Sequence, residues 1–251
     1  MQDADEAQAT SRLIDHLIEL RSRLLRAVAG LMVVFLGLMP FASDLYNKLA
    51  APLIAKLPEG GRMIAVDPAG GFFVPVKLAF FAALFVSAPW LLYQAWAFVA
   101  PGLYQKEKKL AMPLLVSAVL LFYAGCAFAY FLVLPAVFGF LTKFTPEVVQ
   151  MMPDLGKYVD FVLVIFLAFG ASFELPIALV ILVALGWVTP RQLKEWRGYA
   201  VVGIFVIAAI ITPPDVVSQL MLAIPMMVLY ELGIIASRFV APKKADEPAD
   251  A

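Results

Sequence analysis

The sequence of 251 residues is 63% hydrophobic and 15% charged, and its 19 basic and 19 acidic residues give a formal net charge of zero. A soluble domain has about 45–50% apolar and about 25% charged residues, so much of the apolar surface here must face lipid. The single cysteine excludes an intramolecular disulfide, and the single histidine excludes the usual zinc spacings. We therefore expect an integral membrane protein without a cysteine-based metal site. The net charge itself says nothing about nucleic acid; we expect no cofactor and no nucleic-acid partner.

The N-terminal arm is acidic and lacks the basic start, short apolar run and cleavage site of a secretory signal, so we expect the first apolar segment to be retained. Residues 16–27 then read HLIELRSRLLRA, in which Glu19 lies among Arg21, Arg23 and Arg26. Two interpretations of Glu19 stay open at this point. It pairs with Arg23, four residues later on the same helix face, or it receives a cationic ligand.

Six apolar segments predict an all-α bundle, because a helix needs about 20 apolar residues to cross a bilayer core of about 30 Å. Their apolar runs are continuous rather than alternating, which argues against a barrel of strands. The six predicted spans are 24–42, 73–98, 111–138, 158–185, 198–211 and 216–237. The fifth span has 14 residues, or about 21 Å of helix, so we expect a short hairpin of the fifth and sixth helices.

Prolines inside the spans predict kinks, because proline removes a backbone hydrogen bond and clashes with the preceding turn. The four prolines are Pro89, Pro135, Pro176 and Pro225. We therefore expect one kinked, cupped membrane domain over residues 1–240, and a disordered tail over 241–251. The long connections 43–72 and 139–157 have enough residues to form a structured cap.

Basic residues are distributed unevenly between the two sides of the predicted bundle. Thirteen of the 19 Lys and Arg residues fall in the N-terminal arm, the 99–110 and 186–197 connections and the C-terminal tail, and six fall on the other side. Because basic connections stay in the cytoplasm, this pattern predicts that both termini are cytoplasmic.

The 99–110 connection repeats the charge pattern of the N-terminal arm. Residues 96–109, which include most of it, read WAFVAPGLYQKEKK, and Glu107 lies among three lysines, with Phe98 and Tyr104 nearby. Pairing within the loop is one interpretation, although exposed pairs contribute only about 0–1 kcal/mol. The other is that Glu19 and Glu107 receive two positive charges, since a carboxylate and an arginine form a bidentate, charge-assisted pair.

Polar residues also fall inside the later spans. Glu174 lies in the middle of the fourth span, where a charge costs about 2.5–3.5 kcal/mol and by default indicates function; the alternative is a protonated structural acid bonded to a neighbour. Thr212 and Gln219 flank the short hairpin. Such groups form hydrogen bonds between helices, either within this chain or with a separate membrane subunit.

Four motifs, HLIELRSRL, WAFVAPGLYQKE, SFELP and TPPDVVSQ, occur in an order and spacing that resemble the TatC family. This family provides the multispan core subunit of the bacterial twin-arginine protein translocase. The resemblance covers about residues 11–240, and four motifs in register with six spans are specific. It implies a non-enzymatic receptor in the bacterial inner membrane that binds twin-arginine signal peptides of folded cargo. Transport would be driven by the proton-motive force.

The resemblance also assigns roles to particular residues. It implies that Glu19 and Glu107 bind the twin-arginine motif and that Arg21 and Phe98 shape or support this site. Four further residues match family positions: Pro52 in the first outer loop, Glu174 on the concave face, and Thr212 and Gln219 where single-span TatA- and TatB-like subunits dock. The chain is expected to be surrounded by lipid and to be homo-oligomeric in its complex. Ala209 departs from the larger residue of some relatives, which leaves the detailed partner contact there open.

Two other classes of function compete with this interpretation. A proton- or ion-coupled secondary transporter would use Glu174, but such folds usually carry inverted repeats and paired broken helices, and no repeat is evident here. An intramembrane hydrolase needs a nucleophile and a base, and the single histidine, His16, lies outside the predicted spans.

Overall fold

The computed structural model describes residues 2–54, 66–99, 108–144, 154–212 and 216–240, and these residues form eleven α-helices. Their bounds are α1 Gln2–Leu38, α2 Ala42–Ile54, α3 Gly70–Val86, α4 Ala88–Val99, α5 Lys108–Phe128, α6 Leu134–Phe144, α7 Leu155–Phe173, α8 Leu175–Ala184, α9 Pro190–Glu195, α10 Arg197–Ile211 and α11 Val216–Ser237. A 3-10 turn, Met39–Phe41, joins α1 to α2, and a π-helical segment, Ala129–Val133, joins α5 to α6.

The predicted spans are recognisable in this helix order. Four continuous segments are long and apolar enough to cross a membrane: His16–Lys48, Met112–Phe140, Gly156–Ala184 and Gln219–Ser237. Helices α3 and α4 form a fifth span bent by 53°, and α10, Arg197–Ile211, is a shorter apolar helix. The prediction of an all-α, kinked, multispan bundle is therefore confirmed. The first helix begins much earlier than predicted, at Gln2, and the connection predicted from residue 43 begins with helix α2.

The bend between α3 and α4 follows from Pro89, which has no N–H to donate to the carbonyl of Phe85, four residues earlier. Tyr123 Oη of α5 donates instead to Phe85 O at 3.0 Å. Ser87, at the break itself, donates its hydroxyl to Ala83 O at 2.6 Å. Side-chain hydroxyl groups therefore donate to the backbone carbonyls at this bend, which we call the corner at Ser87.

The other three prolines differ in their effect. Pro176 follows a break at Glu174, where α7 ends and α8 begins, and Pro135 follows the π-helical segment. Pro225 lies inside α11, which continues without interruption from Val216 to Ser237. At Pro225 the expected kink therefore produces no break in the helix.

Helix α7 occupies the centre of the described bundle and packs against α3, α5 and α11. Phe169 of α7 is fully buried. Glycines allow the close approach of α5 and α7: a Cβ on Gly125 would lie 2.6 Å from Phe169 O, and one on Gly170 would lie 2.8 Å from Cε2 of Phe122. We call this contact line the α5–α7 seam.

Helix α1 lies at the periphery. None of its described side chains is buried, and it contacts α3 and α4. Several of its apolar side chains are more than half exposed: Leu17, Ile18, Leu24, Leu25, Val33 and Leu36. In a membrane protein such a surface faces lipid or another membrane helix.

The two ends of the bundle carry different polar contacts. At the end that contains Asp154, this carboxylate caps α7 by accepting from Lys157 N at 2.9 Å, and it also accepts from Val66 N at 3.1 Å. Lys77 Nζ and Asp160 Oδ1 form an ion pair at 2.6 Å nearby. Two connections predicted to form a cap are thus joined by Asp154. We call this the Asp154 end and the opposite one the His16 end.

Candidate binding site at the α1–α4 seam

The α1–α4 seam is the contact line between these two antiparallel helices at the His16 end. The rings of His16 and Phe98 are stacked, with centroids 4.3 Å apart and planes inclined by 28°. Two to three turns further along α1, Trp90 Nε1 donates to Arg26 O at 3.0 Å. These two contacts fix both the register and the direction of α1 on α4.

Gly30 makes the second contact possible. A Cβ at this position would lie 2.4 Å from Trp90 Nε1 and 2.6 Å from its Cδ1. Because α1 has no side chain there, the indole can lie directly against its backbone. Neither Trp90 nor Gly30 was predicted from the sequence. A signal was present, since Trp90 and Phe98 are eight residues apart and lie on the same face of a helix.

Glu19 lies between these two contact points on α1. Its Oε1 accepts from Arg23 Nη2 at 3.1 Å, which confirms the predicted i,i+4 pair. The Glu19 side chain is 36% exposed and that of Arg23 is 24% exposed, while Arg21 is exposed. No residue in the described ranges donates to the second carboxylate oxygen of Glu19. One carboxylate oxygen of Glu19 is therefore hydrogen-bonded within α1, and the other has no partner among the described residues; we call this acid half-paired.

Glu107 lies outside the described residues. It directly precedes Lys108, the first residue of α5, and belongs to the connection that leaves α4 after Val99. Because Phe98 packs on His16, one turn of α1 from Glu19, the chain leaves α4 at the same end of the bundle as Glu19. A shared site of Glu19 and Glu107 stays a prediction that is compatible with the course of the chain.

Glu174 lies at the break between α7 and α8, within a membrane span. Its backbone N–H donates to Ala171 O at 3.1 Å. Its carboxyl Oε1 is buried and has no hydrogen-bond partner among the residues that the structure describes. A structural acid would be hydrogen-bonded to a neighbour, and the described residues provide no such neighbour for this oxygen.

The polar residues of the α10–α11 hairpin have partners within the chain. Thr212 is buried and donates its hydroxyl to Ala208 O at 2.8 Å, and Gln219 Nε2 donates to Phe205 O at 3.2 Å. Gln219 therefore joins α11 to α10, whereas the Thr212 bond stays within α10 and its C-cap. Docking of a separate subunit at these residues stays a prediction. Pro52 lies in α2, and its side chain is outside the described set.

A separate cavity of about 370 Å³ lies between α2, α3, α5 and α7. Its lining is almost wholly apolar and includes Cys126, the single cysteine of the chain, with Lys48 among the lining residues. None of the predicted site residues lines this cavity. Within the described ranges, no group of three or more His, Cys, Asp or Glu residues could hold a metal ion.

The fold and the α1–α4 seam define a class of protein: a multi-pass helical membrane protein with a half-paired acid at one end. Comparison with known proteins identifies the family of this chain within that class. Residues 15–225 match the family model for the Sec-independent protein translocase protein TatC. The chain belongs to the TatC family.

Individual relatives agree with the family model. The chain is 52% identical to the TatC protein of Escherichia coli K12 over 93% of this chain and 91% of that protein. It is 50% identical to TatC of Haemophilus influenzae over 99% and 96% of the two chains. A crystal structure of the twin-arginine translocase receptor TatC, 38% identical, matches with a TM-score of 0.80 over 90% of this chain and 99% of that one. The chain is therefore a multi-pass membrane protein of a protein translocase and not an enzyme, as predicted.

Proposed function

We propose that this chain is the receptor and core subunit of a twin-arginine translocase, and that its His16 end binds the twin-arginine signal peptides of folded cargo proteins. Glu19 and Glu107 each receive one arginine of the motif, and Arg21 and Phe98 shape the site around them. The observation that carries this proposal is the half-paired carboxylate of Glu19, one turn of α1 from His16, which stacks on Phe98 near the end of α4.

The chemistry of an arginine suits this arrangement. A guanidinium group donates two parallel N–H bonds to a carboxylate, and charged hydrogen bonds contribute about 1.5–3 kcal/mol each. Arg23 uses only Oε1 of Glu19, so the second oxygen is available to an incoming guanidinium. Two such acids match two adjacent arginines.

The His16 end faces the cytoplasm in this proposal, and both termini lie on that side. The bias of Lys and Arg toward the connections at this end supports the assignment. The protein would lie in the bacterial inner membrane, and the proton-motive force would drive export of the cargo. A secondary transporter based on Glu174 is not retained, because the relatives are protein translocase components.

TatA- and TatB-like single-span subunits would dock at the α10–α11 hairpin, near Thr212 and Gln219, in a complex that holds several copies of the chain. Helix α10 has 15 residues, or about 22 Å, and is too short for an unperturbed bilayer. Exposed apolar side chains flank the hairpin, with Ile210 79% and Val216 70% exposed. A partner helix that covers these residues would find polar groups of the hairpin beside them.

The test is binding of a fluorescent twin-arginine signal peptide to the purified chain in lipid nanodiscs. We expect Glu19→Ala and Glu107→Ala each to weaken binding at least tenfold, and Glu19→Lys to abolish it, because the cationic peptide loses its anionic contact. Glu195→Ala is the matched control, since Glu195 forms the same i,i+4 pair with Arg191 at an exposed position. Wild-type affinity in both Glu19 and Glu107 variants would contradict the proposal.

A further inference from the structure

Gln94 presents an unsatisfied polar atom inside the bundle. The residue is only 3% exposed, and its side-chain oxygen Oε1 is buried with no hydrogen-bond partner in the described part of the chain. More than nine in ten buried polar groups in proteins are paired, and an unpaired one loses its hydration without compensation. A buried amide oxygen with no partner among the described residues calls for a donor, and an incoming ligand can supply one.

The position of Gln94 places this atom in the α1–α4 seam. Trp90, Gln94 and Phe98 recur at every fourth residue of α4, so they form one stripe along the helix. Trp90 contacts α1 at Arg26 and Phe98 contacts it at His16. Gln94 lies midway between two residues that both face α1.

The facing turn of α1 follows from the antiparallel direction of the two helices. Moving along α4 from Phe98 to Trp90 corresponds to moving along α1 from His16 to Arg26. The midpoint of that interval on α1 is the turn from Glu19 to Arg23. In this register Gln94 lies opposite the turn of α1 that carries the proposed arginine-binding acid.

We propose that Gln94 is a further peptide-binding residue of this site, and that its side-chain carbonyl oxygen accepts an N–H hydrogen bond from an arginine guanidinium of the signal peptide. This inference rests on the proposed function. A guanidinium carries five N–H donors and no acceptor, and a carboxylate engages only one edge of it. A neutral acceptor next to Glu19 therefore satisfies donors that the acid leaves unpaired.

Access to Gln94 requires little disruption, because none of the described side chains of α1, the helix opposite it, is buried. An arginine that enters at the His16 end reaches the seam by displacing one half-exposed turn of α1. The amide also distinguishes arginine from lysine, because the compact ammonium group of lysine cannot span the carboxylate and the amide together.

The substitution Gln94→Leu separates this role from a structural one, because the two roles predict opposite effects on the unliganded protein. Leucine has a similar volume and removes the unpaired acceptor, so the melting temperature without peptide should stay unchanged or rise. Affinity for the twin-arginine peptide should fall about tenfold. For a peptide with both arginines replaced by lysine, the same substitution should change affinity less than twofold.

The experiment measures thermal unfolding and peptide binding for the full chain in nanodiscs, with Ala95→Leu as the control that places leucine at the neighbouring exposed position of α4. Unchanged affinity of Gln94→Leu for the twin-arginine peptide would overturn the inference. A lower melting temperature with equal losses for both peptides would also overturn it, in favour of a structural role. Failure of the proposed function is distinguishable, because Glu19→Ala would then bind the peptide normally.

Discussion

Two helix contacts in this protein use the same device, a glycine that receives the edge of an aromatic ring, in different surroundings. In the α5–α7 seam, Gly170 receives Phe122 at the centre of the bundle. In the α1–α4 seam, Gly30 receives Trp90 at the periphery, where α1 buries none of its described side chains. The central seam joins residues of the core, whereas the peripheral one holds a hydrogen bond, a stacked histidine and the candidate acid.

We expect the central seam to determine folding stability and the peripheral seam to determine peptide binding. Lipid is as apolar as a protein core, so membrane helices associate mainly through close van der Waals packing. The α5–α7 seam has such close packing, so it should govern whether the chain folds. The peripheral seam buries little, and elements with few buried contacts are those that open or move at low cost in free energy. A site placed there can admit a peptide without disturbing the core.

The first and largest expected effect tests the central seam. In Gly125→Ala, the new Cβ would lie 2.6 Å from the backbone oxygen of Phe169, which cannot move without moving α7. We expect a loss of about 3 kcal/mol in the free energy of unfolding, the upper part of the range for overpacking. Chemical denaturation in detergent measures it, and the folded fraction should bind peptide normally.

Gly203→Ala in α10 is the control for this variant, because no atom lies within 4 Å of the new Cβ. Alanine is the better helix former, so this control should be neutral or slightly stabilising. Equal stability of Gly125→Ala and Gly203→Ala would show that the close approach of α5 and α7 is unimportant.

The second prediction concerns the peripheral seam. In Gly30→Ala the indole of Trp90 must leave its position against α1 and lose its bond to Arg26 O. We expect peptide affinity to fall about tenfold, which corresponds to about 1.4 kcal/mol, while the free energy of unfolding changes by less than about 1 kcal/mol. Gly37→Ala in the same helix, with open space around the new Cβ, should bind peptide like the parent. A large loss of stability in Gly30→Ala would remove the distinction between the seams.

The third and smallest effect lies at the Asp154 end. The N–H groups of Lys157 and Val66 hydrogen-bond the carboxylate of Asp154 and hold its pKa below the ordinary value of 3.8. Its contribution to stability is therefore complete above that ordinary value and is lost as the pH falls through the lowered pKa of the folded state. The melting temperature of Asp154→Asn should depend less on pH in this acidic range than that of the parent. If Asp154→Asn and the parent lose stability with the same acid profile, a role for this cap is excluded.

The fold was predictable where a single residue decides the local backbone. Pro89 and Pro176 each lie two residues after a break in a helix, because their missing N–H disrupts the preceding turn. Pro225 shows the limit of this rule, since α11 continues through it. Helix α2 was not predicted either, because its segment was interpreted as a connection.

The charged residues of the candidate site could be predicted from the sequence, but the contacts between its helices could not. Glu19 and Arg23 are four residues apart, so their pairing depends only on helix geometry. The stacking of His16 on Phe98 joins residues 82 positions apart, and the spacing of either motif carries no information about it. Gln94 was missed because a lone glutamine in an apolar helix becomes conspicuous only when its oxygen is found buried and unpaired.

The corner at Ser87 has a mechanical consequence. Because Tyr123 of α5 holds the carbonyl that Pro89 leaves unpaired, α4 cannot straighten without giving up a bond to another helix. Helix α1 is held on α4 by the Trp90–Arg26 hydrogen bond and the His16–Phe98 stack, and none of its described side chains is buried. If a signal peptide binds at the α1–α4 seam as proposed, we expect α1 to shift against a fixed α4. Its exposed apolar side would then transmit that shift to neighbouring membrane helices.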